Sequence, residues 1–543
     1  MTFGLGQLEK IDSVLVSWSA KKTENFGSFS TGSKEVMEKG KGQTTILPKK
    51  SISKSVLSKA DVLLDWKHEE NTEFDEFRRE YLMPRRYGTE GPALAVGDMN
   101  GDGLDDIFLG GAKGQAASVY FQQTDGSFKK RENPFFEQLK TAEDVVAVLA
   151  DLNGDGFPDL YIGSGGNEYK SGEIFNFDRV FLNDGQGNFT FSMNSLPPIG
   201  ENTSSVAVHD VNGDGFPDLF VTSSVVTGSY GLSPKSYLLL NDGKGRFREM
   251  TAEYFGDDFT AGMLQQAIWA DLTRNGKKEL VLVGEWSPIR VLEQDDKGKF
   301  KEVWEEDLST SAGWYTASMI WEEGDQLSLL LGNLGLNSKL KASSEKPVWL
   351  YLKDFDNNGQ LDPLIFHYMG SYLVPFASRD DLIRQIPEIK RKHTDYLNYS
   401  KLKSPEGLYD NQTLQGADIL PFYNQRSGSI VIGPKESMDF EAFPIEAQFS
   451  PIRDFVRFTN SQGREFLLAV GNFYGFRNDL GKAAAQPMTL MEKSQNGWRS
   501  IPLSITGSEY WGQYRAIEKI SLNGAPYLIA VRNDDRPVFF KIH

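Results

Sequence analysis

The 543-residue sequence contains no cysteine, which excludes disulfide staples and thiolate metal sites alike. That absence leaves the compartment open, because bound metal ions can staple a domain where disulfides otherwise would. Histidine is scarce: His68, His209, His367, His393 and His543 are the five present. They form no metal-ligand spacing, and "HEENT" at residue 68 departs from the H-E-x-x-H zinc pattern. No run approaches the roughly 18 apolar residues of a membrane-crossing helix. Residues 1–30 lack the charged start and apolar core of an export signal. A G-x-S-x-G elbow is missing, and so is a phosphate-binding glycine loop. Positive charge is in deficit. The 58 Lys and Arg against 75 Asp and Glu leave a net −17, the wrong sign for a protein whose main partner is nucleic acid.

Glycine and acid are plentiful instead. Fifty-three glycines, many in Asn-Asp-Gly runs, call for numerous tight turns and hence an all-β chain. The acid is patterned. In "VLADLNGDGFPDLYIGS" (148–164), Asp151, Asn153, Asp155 and Asp159 hold positions 1, 3, 5 and 9 of a loop, with Gly156 at position 6. Oxygen ligands at odd spacing around a sharp glycine turn are what calcium requires of a short loop. An EF-hand is excluded, because position 12 is Ile162 and the short β-branched flanks predict strands.

The stretch repeats. Loops begin at Asp98, Asp151, Asp210 and Asp271, so successive starts are 53, 59 and 61 residues apart. Each is followed by a further strand, an Asn-Asp-Gly-type turn and a last strand, as in "VFLNDGQGNFTF" and "YLLLNDGKGRF". A four-stranded antiparallel unit repeated in this way predicts a propeller blade. Three later units, 317–333, 452–472 and 514–533, keep the strands and lose the acid. The fifth unit moves its acid to "LYLKDFDNNGQLDPLIF", which reads as its third-to-fourth-strand turn. The expected fold is therefore all-β: a seven-bladed propeller from about residue 75 onward, or eight-bladed if residues 347–445 form a sheet of their own. Residues of about 371–420, with "RDDLIRQIPEIKRKHTDYLNYSKL", predict a helical insertion whose Arg384, Lys390, Arg391, Lys392 and His393 read as a solvated face.

The D-x-N-G-D-G-x-x-D loops resemble the FG-GAP or VCBS repeats of integrin-like propellers. "GNLGLNSK", "DFDNNGQLDPL" and "GNFYG" are similar to a bacterial branch in which the propeller accompanies an ASPIC/UnbV domain. Residues 3–50 resemble the last part of such a domain, in "FGLGQLEKIDSVLVSW" and "GQTTILPKK". The resemblance implies residues 1–60 as a partial ASPIC/UnbV-like segment and linker, with a short β remnant, and 61–543 as propeller. It implies that Met1 begins inside that domain, that the chain is a piece of a longer exported protein, and that its setting is the cell surface or the extracellular space.

About four calcium ions are expected. Their ligands would be Asp98, Asn100, Asp102 and Asp106; Asp151, Asn153, Asp155 and Asp159; Asp210, Asn212, Asp214 and Asp218; and Asp354, Asp356, Asn358 and Asp362. The carbonyls of Leu104, Phe157, Phe216 and Gln360 would supply position 7. The Asp271 loop, with Thr273, Asn275 and Glu279 beside Arg274, Lys277 and Lys278, reads as a lost site held by hydrogen bonds. In a meander the first and third turns share one face, so all four calcium loops are expected on one rim. The opposite face would carry Trp286, Trp314, Asn333, Asn337, Asn472, Tyr474, Trp511, Arg532 and Asn533. Amides beside exposed aromatic rings suit glycan, peptide or protein partners; the competing reading makes them packing tryptophans and turn caps. The expected function is a non-catalytic surface binding or assembly module. A carbohydrate-active lyase or hydrolase is the alternative, since a carboxylate pair could hide among so many acids.

Overall fold

The computed structural model describes residues 9–19, 22–45, 55–71, 73–433, 438–503 and 510–543. It divides into two compact units, Met1–Val56 and Leu57–His543. The boundary falls after residue 56 rather than 60, because Leu57–Lys59 is a strand of the large unit.

In the small unit, Leu15–Ser19, Lys22–Asn25 and Gln43–Thr45 form a three-stranded sheet, and Lys10–Ile11 pairs with Phe29–Ser30. Glu24 is buried there and accepts from Trp18 Nε1 at 3.0 Å and Gly40 N at 2.8 Å. Residues 3–8 and 46–50 of the two N-terminal stretches singled out above lie outside the described residues.

Among the described residues the large unit consists of four-stranded antiparallel sheets, save the fourth, to which Gly313–Trp314 adds a fifth strand. Their first strands are Leu94–Gly97, Glu143–Ala150, Thr203–His209, Met263–Ala270, Ala317–Glu323, Ile452–Thr459 and Gln513–Leu522. Each lies beside the next, and Gln513–Leu522 returns to Leu94–Gly97. This cyclic stacking is a β-propeller. The seventh sheet is closed from the other end of the unit: Leu57–Lys59 pairs with Val538–Ile542 as its outer strand. Second strands are apolar throughout, as in Ile107–Leu109, Leu160–Ile162 and Leu219–Val221, because a neighbouring sheet covers both faces. That explains the short β-branched runs seen beside every acidic loop.

Two features differ from the sequence expectation. The fifth sheet takes its third and fourth strands from Gly428–Val431 and Phe440–Ala442. Between its second and third strands the chain builds another four-stranded sheet, from Val348–Lys353, Asp362–Met369, Tyr372–Pro375 and Asp418–Phe422. The Asp354–Asp362 loop thus joins two strands of this inserted sheet and is not a turn of the fifth unit. The helical pieces, among them Arg379–Gln385 and Ile389–Lys392, belong to the same insertion.

The second difference is a strap. Residues 66–71 and 73–92, ahead of the first sheet, run across the ring, a course that no repeat in the sequence announces. Met83 and Tyr87 pack in one core with Tyr230, Trp286, Trp314, Val348, Leu350 and Phe422. Arg86 N donates to Gly475 O at 2.8 Å, and Tyr230 N donates to Glu80 Oε1 at 2.9 Å. The strap therefore touches sheets far apart in sequence and seals the face on which the insertion emerges.

Candidate metal centres and the opposite face

The three loops at Asp98, Asp151 and Asp210 share one hydrogen-bond pattern. In the second, Asp151 Oδ1 accepts from Gly154 N at 2.8 Å and Asp155 N at 3.1 Å, and Oδ2 accepts from Gly156 N at 2.9 Å. Gly156 has φ +89, a left-handed value that favours glycine at position 6. The position-9 acid is buried and splits its oxygens. Asp159 Oδ2 accepts from Leu152 N at 2.9 Å, while Oδ1 accepts from Asn183 N, at the end of the third strand, at 2.8 Å. Asp106 and Asp218 repeat this with Met99 and Gln122, and with Val211 and Asn241. One carboxylate so ties the loop to its own sheet.

Position 7 also has a packing role. The rings of Phe157 and Phe216 lie on Gly185 and Gly243, where a Cβ would come within 2.6 and 2.5 Å. The glycines of the Asn-Asp-Gly turns are thus required by the phenylalanines of the acidic loops.

In the Asp354 loop, position 3 is an aspartate, and one oxygen from each of Asp354, Asp356 and Asp362 lies within 4.8 Å of the others. Gln385 Nε2, from the helical insertion, donates to Asp362 Oδ1 at 2.9 Å in place of a strand amide. Burial, compounded by neighbouring carboxylates, pushes Asp106 up to about 7 and Asp159 and Asp362 to about 6. A multivalent cation reverses that repulsion. Among the described residues only this loop draws three carboxylates together; the donors of all four loops are oxygens, a chemistry that suits Ca²⁺ rather than a softer metal.

The Asp271 loop keeps the frame and changes the filling. Thr273 Oγ1 donates to Glu279 Oε1 at 2.9 Å, and Leu272 N donates to Glu279 Oε2 at 2.6 Å. Arg274 turns outward to Glu322 and the Gly324 carbonyl of the next sheet.

Sequence reasoning missed a set of amides that join the sheets. Asn183 Nδ2 donates to Met99 O of the preceding sheet's loop at 2.8 Å, and Asn241 Nδ2 donates to Leu152 O at 2.8 Å. Gln122 Nε2 donates to Ser521 O at 2.9 Å, across the junction of first and last sheets. The repeated Asn before Asp-Gly was the available signal; its role in the turn concealed its reach to the neighbour.

The opposite face departs most from expectation. Trp286 and Trp314 are buried, at 2% and 1% exposure, beneath the strap and inserted sheet. Trp286 Nε1 donates to Tyr230 Oη at 2.6 Å. Asn333 is buried; its Oδ1 accepts from Leu334 N and its Nδ2 donates to Asn424 O. Asn472, at φ +74, is a buried turn amide bonded to Gly512 O. Asn533 Nδ2 donates to Gly91 O and to Glu70 of the strap, and Arg532 donates to Arg536 O. These six are structural positions in this fold. Trp511 remains 49% exposed, Tyr474 half-buried and Asn337 exposed. Arg532 donates to the Trp511 carbonyl and lies over the Tyr514 ring, while Lys482 lies over the Tyr474 ring. The Asp354 loop belongs to the inserted sheet and not to any of the sheets that carry the other three.

A family described as FG-GAP-like repeat matches residues 98–162 and 151–221, which contain the first three acidic loops. Among solved structures, the chain is similar to an ancestral GH74 enzyme at 12% identity and TM-score 0.41. That match covers 84% of this chain and 48% of the other, so the chain spans about half the length of that enzyme. It is similar to the Dos1 propeller at 10% identity and TM-score 0.37, covering 84% and 95%. Similarity to Trypanosoma rangeli sialidase in complex with sialic acid is at 9% identity and TM-score 0.32, covering 83% and 59%.

Proposed function

We propose that this propeller with FG-GAP-like repeats is a calcium-stabilised, seven-bladed, non-catalytic module that binds a glycan, peptide or protein partner at the cell surface or after secretion. The observation that carries the reading is the identical framing of three acidic loops, each with its position-9 acid tied to loop and strand. Bound calcium supplies charge neutralisation and fixed loop geometry. The chain's own residues do the rest: Asp98, Asp151 and Asp210 gather backbone amides, and Asp106, Asp159 and Asp218 transmit loop order to the sheets. The blade number rests on the cyclic order of first strands, and the small N-terminal unit is assigned to the end of an ASPIC/UnbV-like domain.

With the centre of the opposite face sealed, recognition falls to its margin, where Trp511, Tyr474 and Asn337 stay accessible. The test is metal analysis of the purified chain, with glycan-array and peptide binding before and after chelation. About four calcium ions and partner binding without turnover are expected. A metal-free protein whose melting temperature ignores chelator overturns the calcium reading, and new reducing ends or unsaturated products favour the carbohydrate-active alternative.

A further inference from the structure

The axis of the ring holds a chain of buried charges that nothing in the repeat pattern requires. Glu90 of the strap extends one carboxylate oxygen to Arg85 and the other to Arg453 of the sixth sheet. Arg515 of the seventh sheet donates through Nε to the carbonyl of Thr89, the residue before Glu90, at 2.9 Å, and its charge acts on the same carboxylate. Arg85 is held in turn by Glu285 of the fourth sheet, with Nε to Oε1 at 2.8 Å. The Phe473 ring lies among the three guanidiniums, with Arg85, Arg453 and Arg515 at 5.7, 5.6 and 5.4 Å from its centroid. Arg85, Arg453 and Arg515 are all buried.

We infer that the ring carries a carboxylate-recognition site, built by Arg453, Arg515 and Phe473 and completed by Arg85, whose occupant is the chain's own Glu90. Two cations of this site come from strands of separate sheets and are fixed by the ring itself. Glu90 arrives from a segment that belongs to neither sheet, as an external ligand would. Charge argues the same way. The three guanidiniums outweigh the burial penalty and hold Glu90 down at about 2, and burial beside Arg453 draws Arg515 down to about 9. Guanidiniums this desolvated demand an anion. The strap is therefore an internal ligand that occupies the axial face, and external partners meet the margin instead. This inference is independent of calcium and of the partner's identity.

Chemical complementation tests it. Glu90→Ala removes the carboxylate and leaves space beside the arginines, and formate or acetate is titrated in calcium-saturated buffer at constant ionic strength against chloride. The expected result is a rise in melting temperature on the order of a few degrees that saturates with carboxylate in Glu90→Ala and is absent in the unsubstituted protein. Adding Arg453→Met to Glu90→Ala is expected to abolish the saturable rise. If Glu90→Ala fails to fold, expression and refolding with and without formate replace the titration, with recovery expected only in its presence. Equal response of both proteins, no response of the folded variant, or failure of formate to restore folding overturns the assignment. Glu90→Gln, the isosteric neutral variant, reports separately through amide exchange at Arg86, Tyr87 and Gly88. Those amides are expected to exchange faster with the charge removed, and unchanged protection there also counts against it.

Discussion

A tryptophan after a strand can be a ligand platform or a core ring, and its surroundings decide. Trp286 is enclosed by Tyr230, Trp314 and Phe422, so Trp286→Ala is expected to cost about 3–5 kcal/mol in denaturant unfolding. Trp511, half exposed, is expected to change stability by less than about 0.5 kcal/mol on the same substitution while weakening partner binding. Measuring both variants by unfolding and by binding separates packing from recognition. The buried amides make a further residue-scale prediction. Asn241→Ala leaves the carbonyls of Leu152 and Pro217 without their donor and is expected to cost about 1–3 kcal/mol. Thr273→Ala should leave the calcium content unchanged, as read by elemental analysis, because its hydroxyl serves Glu279.

Among the elements, the acidic loops were the most legible part of the chain. Their chemistry fixes residue types at fixed spacing, so Asp98, Asp151 and Asp210 announced both the loop and the strands around it. The Asp354 loop announced itself equally well and was misplaced. Its spacing describes a loop between two strands and carries no mark of which sheet those strands join. The strap was illegible for another reason. Arg85 and Glu90 find their partners some 200 to 425 positions away, in Glu285, Arg453 and Arg515, and no period links residues so far apart. Trp286, Trp314 and Asn533 were misjudged for want of the strap and inserted sheet that meet them, whereas Asn333, Asn472 and Arg532 are held by main-chain carbonyls of nearby turns.

The strap also predicts a pH dependence. Burial works against the Glu90 charge, but Arg453, Arg85 and Arg515 outweigh it and leave Glu90 at about 2 in the fold, against an ordinary glutamate value near ~4.3. Its stabilising contribution is fully present above that ordinary value and is lost as pH falls through the folded value. The stability difference between the unsubstituted protein and Glu90→Gln, about 3–5 kcal/mol for a broken buried pair, is expected to hold constant above about pH 5 and to shrink between roughly 4 and 2. Urea titrations of both proteins at several pH values read this directly.

For the whole molecule, one sheet joins both ends of the large unit: Leu57–Lys59 pairs with Val538–Ile542. A chain starting at Leu57 is expected to melt higher than one starting at Ala60, because the latter leaves Val538–Ile542 as an unpaired edge. The comparison needs only the two truncated proteins and a thermal scan.

That closure also sets an order of events during synthesis. The strand at 57–59 and the strap to residue 92 leave the ribosome early, whereas Arg453, Arg515 and Val538–Ile542 are made last. At about 5–20 residues per second, the intervening 450 or so residues take roughly 20–90 s to appear. Leu64 and Trp66 meet Leu94, Ile107 and Tyr120 of the first sheet soon after synthesis, Met83 and Tyr87 gain Tyr230 and Trp286 midway, and Arg85 and Glu90 wait the whole interval for Arg453 and Arg515. The charges of the strap, among the first of the propeller to be made, are therefore the last to be satisfied, and the ring locks only when its final two sheets arrive.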